Sequence, residues 1–166
     1  MENIEGLIKD VSNICKSYLT EEEQIYILKK WEKFNKEEVC EIAAKNGWLD
    51  LLMWAREPEK KYRWNVWTCN YAAENGHCEV LKWARQNGCG WNSYTCSYAA
   101  LKGHLEVLKW ARANGCEWNS NTCNCAALNG HCEVLKWARA NGCKWDSWIC
   151  SYAAPNGHCK VLFKMK

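Results

Sequence analysis

Four histidines, His77, His104, His131 and His158, follow one another at intervals of 27 residues. Cysteine comes directly after three of them, at Cys78, Cys132 and Cys159, and a further cysteine recurs at Cys89, Cys116 and Cys143. Imidazole and thiolate are both zinc ligands, and histidine is the most frequent general acid or base in catalysis. The pattern therefore raises two chemistries, a metal centre and acid–base or nucleophilic catalysis.

Comparison within the chain argues against both. There is no Cys-x2-Cys pair and none of the familiar zinc spacings. Leu105 stands where Cys78 and Cys132 stand, and Trp48 stands where the histidine does. Ligands do not exchange for leucine and tryptophan; packing residues do. Equivalent cysteines in stacked units should lie about one helix-packing distance apart, about 8–10 Å. That is too far to share a metal with bonds of about 2.3 Å and beyond a disulfide's reach. A catalytic centre is built once, whereas this histidine recurs unit after unit. No Ser/His/Asp or Cys/His/Asn set stands out from the repeated background, so no reaction geometry can be assembled. The expectation is reduced, metal-free thiols, with no cofactor, no enzymatic activity and no small-molecule substrate.

What positions these residues is a repeat. The segment Gly-His-x-Glu-Val-Leu-Lys-Trp-Ala-Arg-x-Asn-Gly-Cys-x-Trp recurs at the same spacing, and a fixed period of this size marks a stacked-repeat architecture. Complete units cover 68–94, 95–121 and 122–148, and a shortened one covers 149–166. A divergent unit, 37–67, keeps Cys40, Ala43, Ala44, Gly47, Leu52, Trp54, Ala55, Arg56 and Trp64 in register, with two extra residues around Pro58. The repeat also accounts for twelve tryptophans and thirteen cysteines in 166 residues, because one position in a unit becomes four or five in the chain.

Each unit reads as two short helices. In the unit at Thr95, Asn92 or Ser93 offers an N-cap oxygen to an otherwise unpaired amide. Cys96, Ala99 and Ala100 follow at i, i+3 and i+4 and form a small-residue face that lets the next unit come close. Gly103 supplies the left-handed residue that ends the helix. A second helix runs from about Leu105 to Ala113, with Val107, Leu108, Trp110 and Ala111 as its buried side. Stacking turns these faces into one continuous core. The series Trp83/Trp110/Trp137 and Trp91/Trp118/Trp145 are expected to form two separate ladders.

The unit at Thr95–Cys116, Thr-Cys-x-x-Ala-Ala-x-x-Gly-His-x-Glu-Val-Leu-Lys-Trp-Ala-Arg-x-Asn-Gly-Cys, resembles the ankyrin repeat. That family's pattern is Thr-Pro-Leu-His-x-Ala-Ala-x-x-Gly-His-x-x-Val-Val-x-Leu-Leu-Leu-x-x-Gly-Ala, and from Ala-Ala to the last Gly the spacing is the same. The resemblance covers about residues 39–166. It implies an all-α, ankyrin-like solenoid, a histidine that organises the turn, and a role in binding other proteins. The period of 27 is shorter than the family's 33, so the hairpin fingers between repeats are expected to be truncated. Short units rich in Trp and Cys look like the arrays of large DNA viruses that infect amoebae, and of some protists. A leucine-rich repeat would also fit the period, but Leu-x-x-Leu-x-Leu occurs in no unit.

Residues 1–36 do not match the unit. Ile4, Leu7, Ile8, Val11, Ile14, Cys15 and Tyr18 keep helical spacing, and Thr20 with Glu23 makes a capping-box pattern opening a second helix. A helical cap over the first repeat is expected there, since solenoids need covered ends; the other reading is a separate recruiting module. No apolar run reaches the roughly 18–20 residues of a membrane span, and the first residues lack the features of a signal peptide. A cytoplasmic protein, in the host cytoplasm if viral, is expected.

The net charge of +3 is small, and no unit before the short tail is strongly basic, which disfavours a duplex binder. Lys82/Arg85, Lys109/Arg112 and Lys136/Arg139 could stack into a basic stripe for single-stranded nucleic acid. Glu79, Glu106 and Glu133 stand three residues before the lysines, however, and should pair with them. Partner contacts are better sought where otherwise uniform units differ. One such series is Trp67, Tyr94, Asn121 and Trp148, in the first turn of each first helix. A second is Gly90, Glu117 and Lys144 in the loops, and a third is Glu74, Leu101, Leu128 and Pro155. Exposed Trp and Tyr are typical interface anchors, so the first series is the leading candidate for binding a protein. The alternative is a degenerate or truncated array without a specific partner. The ending Val161-Leu162-Phe163-Lys164-Met165-Lys166, where Lys-Trp-Ala-Arg should continue, favours that second reading.

Overall fold

The computed structural model describes residues 38–59, 61–144 and 149. Over these residues the chain is all-α, with no strand. Four helix pairs follow in order: α1 Val39–Asn46 and α2 Leu49–Ala55, α3 Val66–Glu74 and α4 Cys78–Gln86, α5 Ser93–Leu101 and α6 Leu105–Ala113, α7 Ser120–Leu128 and α8 Cys132–Ala140. The expected N-terminal cap, residues 1–36, lies outside the described residues, as does the shortened final unit apart from Ile149.

The local signals act as their chemistry dictates. Asn65, Asn92 and Asn119 each turn a side-chain oxygen back to accept from the amide of Trp67, Tyr94 and Asn121, at 2.7, 3.1 and 3.0 Å. The cap of the third pair is therefore Asn92, not Ser93. Each first helix ends on a glycine turn, with the following amide, that of Trp48 in the first unit and of histidine in the others, donating to an alanine carbonyl; for His104 and Ala99 the distance is 2.9 Å.

Gly103 shows why this turn is coupled to the next unit. Its φ is 79°, a left-handed value that costs other residues about 1–2 kcal/mol. A Cβ there would also stand 2.6 Å from Nδ1 of His131. The imidazole of one unit thus lies on the bare glycine backbone of the unit before it. His77 on Gly47 and His104 on Gly76 repeat the arrangement. The same rings bond the preceding unit's first helix: Nε2 of His77 lies 3.2 Å from the Lys45 carbonyl and Nε2 of His131 3.0 Å from that of Leu101, and His104 uses the Glu74 carbonyl. The histidine is a clasp between units.

The main contacts between units run from first helix to first helix, α1 to α3 to α5 to α7, with a smaller contact between α2 and α4. The small face makes this approach possible, since Cys96, Ala99 and Ala100 and their equivalents Cys69, Ala72 and Ala73 are wholly buried. A polar ladder runs along the same contact. Thr95 Oγ1 donates to Asn70 Oδ1 at 2.7 Å, and the hydroxyls of Ser97 and Thr122 are 3.3 Å apart. These groups are buried, and each bond spares a desolvation cost of about 1–3 kcal/mol.

Two expectations are corrected by the stacking. The tryptophans do not form two ladders. Trp64 meets Trp83, Trp91 meets Trp110 and Trp118 meets Trp137, edge to face at 5.7–6.0 Å. The loop tryptophan of one unit touches the second-helix tryptophan of the next, so the two series meet as pairs, one at each described junction. Consequently Trp110 is half-buried, while Val107, Leu108 and Ala111 are fully in the core. It packs against the core from one side and meets the ring of Trp91 at 5.8 Å.

The cysteines hold a second surprise. Spacing arguments considered equivalent cysteines, but the structure brings non-equivalent ones together inside each unit. Cys69 hydrogen-bonds Cys89, Cys96 bonds Cys116, and Cys123 bonds Cys143. The loop sulfurs also donate to the N-cap carbonyls, for Cys116 to Asn92 at 3.3 Å. The partner sulfur, then burial, drives Cys69, Cys96 and Cys123 well above the ordinary thiol range. In the first unit Tyr62 replaces the loop cysteine, and burial pushes Cys40 up to about 12. These sulfurs act as core atoms with weak donors. Among the described residues no group of three or more His, Cys, Asp and Glu side chains could hold a metal ion.

Candidate partner-binding face

Trp67 and Tyr71 stand one turn apart on α3, and Tyr94 and Tyr98 stand one turn apart on α5. Side chains at i and i+4 share a helix face, and the close approach of α3 and α5 joins the two pairs. Ring centroids are 5.8 Å apart for Trp67 and Tyr71, 6.4 Å for Trp67 and Tyr98, and 6.2 Å for Tyr94 and Tyr98. The planes are tilted by 33–44°, and Tyr71 and Tyr98 are half-buried. Trp67 is 43% exposed and Tyr94 55%. With Met53 on α2, they are the large apolar side chains left exposed among the described residues.

The cluster rests on fixed supports. Asn65, which caps α3 through the Trp67 amide, also donates its Nδ2 to Glu41 Oε1 at 2.9 Å. The buried bond from Thr95 to Asn70 sets α5 against α3, and with them Tyr98 against Trp67. The aromatic face spans two units. In α7 its positions are held by Asn121 and Cys125, and in the first unit by Glu38 and Ile42. Around it lie carboxylates: burial, then Glu41 and Glu74, raise the Tyr71 phenol above its ordinary value. Lys102 reaches Glu74 only at 3.9 Å.

The other candidates fall elsewhere. Asn121 is exposed on the same row but brings no ring. Gly90, Glu117 and Lys144 are exposed in the loops, and at Gly90 an added Cβ would meet only Val66, at an ordinary 3.5 Å. That roominess explains why glutamate and lysine occupy the same place in later units. Trp148 lies outside the described residues. Tyr71 and Tyr98 were missed by sequence reasoning, which followed variation at one position. The signal was present in the i,i+4 spacing of Trp67-Tyr71 and Tyr94-Tyr98.

The opposite side of each pair is internally occupied. Glu79, Glu106 and Glu133 bond Lys82, Lys109 and Lys136 at 2.7–2.8 Å. Arg56, Arg85 and Arg112 place their guanidinium carbons over Trp64, Trp91 and Trp118 at 4.2–4.3 Å, and each donates to a loop carbonyl, that of Tyr62, Cys89 and Cys116. These lysines and arginines serve the repeat itself.

Helix pairs stacked by a small-residue face, with a Gly-His turn at every junction, define an ankyrin-like helical-repeat array. Residues 96–139 match the family model described as ankyrin repeats (many copies), a stretch that includes most of α5, all of α6 and α7, and most of α8. No curated protein matches the chain. Ankyrin repeats are in general protein-interaction modules, and no helix among the described residues is long and apolar enough to cross a membrane.

Proposed function

We propose that the chain is a non-catalytic recognition module that binds a protein partner through Trp67, Tyr71, Tyr94 and Tyr98. The observation that carries this reading is the open ring cluster itself, because the protein's other aromatic row is filled by its own arginines. Rigid aromatic side chains lose little entropy on binding and concentrate interface energy. Asn121 continues the row on α7, and Gly90, Glu117 and Lys144 are exposed loop positions at which the units differ and a partner could make further contacts. The short Trp- and Cys-rich units favour the array of an amoebal virus, acting on a host or viral protein in the host cytoplasm, and a helical cap at residues 1–36 would close the first unit.

The test is capture of partners from amoebal lysate by the wild-type chain and by a Trp67→Ala/Tyr94→Ala double variant, followed by binding measurements on each purified partner. A partner whose affinity drops at least tenfold in the double variant supports the reading. Partners held equally by both proteins would place recognition elsewhere, and no saturable partner would favour an array without one.

A further inference from the structure

Trp67 is unlike the tryptophans of the loop row. Trp64, Trp91 and Trp118 each carry a guanidinium over the ring, at 4.2, 4.2 and 4.3 Å. Trp67 is exposed, and the rings it meets among the described residues are those of Tyr71 and Tyr98. The faces of Trp and Tyr are electron-rich and attract cations. Two carboxylates lie close enough to act on its neighbour Tyr71: Glu41, which accepts from Asn65 at 2.9 Å, and Glu74, which Lys102 approaches to 3.9 Å. Glu38 is exposed at the same register one unit earlier. Lys45 near the end of α1 and Lys102 at the C-cap of α5 are exposed cations on the same stack of first helices.

Resting on the reading of this face as the recognition surface, the geometry points to its occupant: a lysine- or arginine-bearing segment of a partner protein, with one cationic side chain seated on Trp67 between Tyr71 and Tyr98 and neutralised by Glu41 and Glu74. The incoming group does on this face what Arg85 does for Trp91 on the other. It displaces Lys102 from Glu74, a long ion pair of 3.9 Å at the surface. The net charge of +3 does not oppose this, since charges beyond about 8 Å are screened at physiological salt and the local carboxylates dominate.

The experiment uses the full chain and a fluorescein-labelled twelve-residue peptide of alternating Lys or Arg with Gly or Ser, beside a counterpart with Glu at every cationic position. Fluorescence polarisation should show saturable binding of the basic peptide and none of the acidic one. Trp67→Ala should weaken it at least tenfold. Glu41→Gln and Glu74→Gln, which keep size and, for Glu41, the acceptor for Asn65, should weaken it about threefold each and about tenfold together. Lys102→Ala should tighten it about threefold, and Glu79→Gln/Glu106→Gln on the opposite side should change nothing. Circular dichroism confirms that each variant is folded. Equal binding of the acidic peptide, indifference to the Glu41/Glu74 pair, or a loss in the Glu79/Glu106 variant would overturn the inference. If a captured partner still depends on Trp67 and Tyr94 while the Glu41/Glu74 variant binds it normally, only the cationic occupant is wrong. If no partner depends on Trp67, the recognition face itself is wrong.

Discussion

Two aromatic rows run through this protein, and they are put to opposite uses. In the row of loops and second helices, every described loop tryptophan has an arginine on its face and the next unit's tryptophan at its edge. In the row of first helices, Trp67, Tyr71, Tyr94 and Tyr98 touch one another, and while Tyr71 and Tyr98 are half-buried, Trp67 and Tyr94 are left exposed. The first row repeats unit after unit; the second changes from Glu38 to Trp67, Tyr94 and Asn121. Cohesion between units needs the same contact at each junction, so its residues are uniform. A surface for another molecule meets that molecule once, so its residues need not repeat.

The comparison is broken most severely by Trp110→Ala. Its ring is half-buried against Trp91, so the loss should be about 2–3 kcal/mol, below the roughly 3–5 kcal/mol of a fully buried tryptophan. Urea unfolding measures it. Next, Arg112→Met keeps the aliphatic stem but removes the guanidinium from Trp118 and from the Cys116 carbonyl. A cost of about 1–2 kcal/mol is expected; a neutral result would mean that the arginine ladder is ornamental and free to bind elsewhere.

The clasp between units gives a pH test. Burial, the largest influence, holds His104 below the ordinary histidine value of 6.5. The unfolded chain therefore takes up this proton first, and the stability that the neutral ring supports is fully present above about pH 6.5 and lost as pH falls below it. His104→Gln should flatten the decline between pH 7 and 5.5 in thermal melts, while Tyr94→Ala should leave it unchanged. The smallest stability effect belongs to the open row. Tyr94→Ala should cost under about 0.5 kcal/mol, as surface changes do, yet reduce binding of a partner. A cost matching that of Trp110→Ala would show that both rows are structural.

Much of this was legible in the chain itself. The period, the helix pairs, the asparagine caps, the glycine turns and the buried Cys-Ala-Ala face follow from interactions within a few residues, which spacing along one helix encodes. The candidate site was legible in part: Trp67 and Tyr94 stood out by variation, whereas Tyr71 and Tyr98 became relevant only once α3 and α5 lay side by side. The helices' local rules also made Trp110 look like core, because helical periodicity reports which face is turned inward and not how far a large ring projects beyond it.

Sequence alone thus determined the repeating helix pair and which residues could vary within it. Tertiary structure decided how one pair sits on the next. That offset placed the His131 ring on Gly103, set each loop tryptophan against the second-helix tryptophan of the next unit and joined four rings into a face. Except for the ring pairs within one helix, these contacts link residues about twenty to thirty positions apart. A repeat gives the interval between equivalent residues but not the rotation and shift between stacked units, and only those decide which non-equivalent side chains meet.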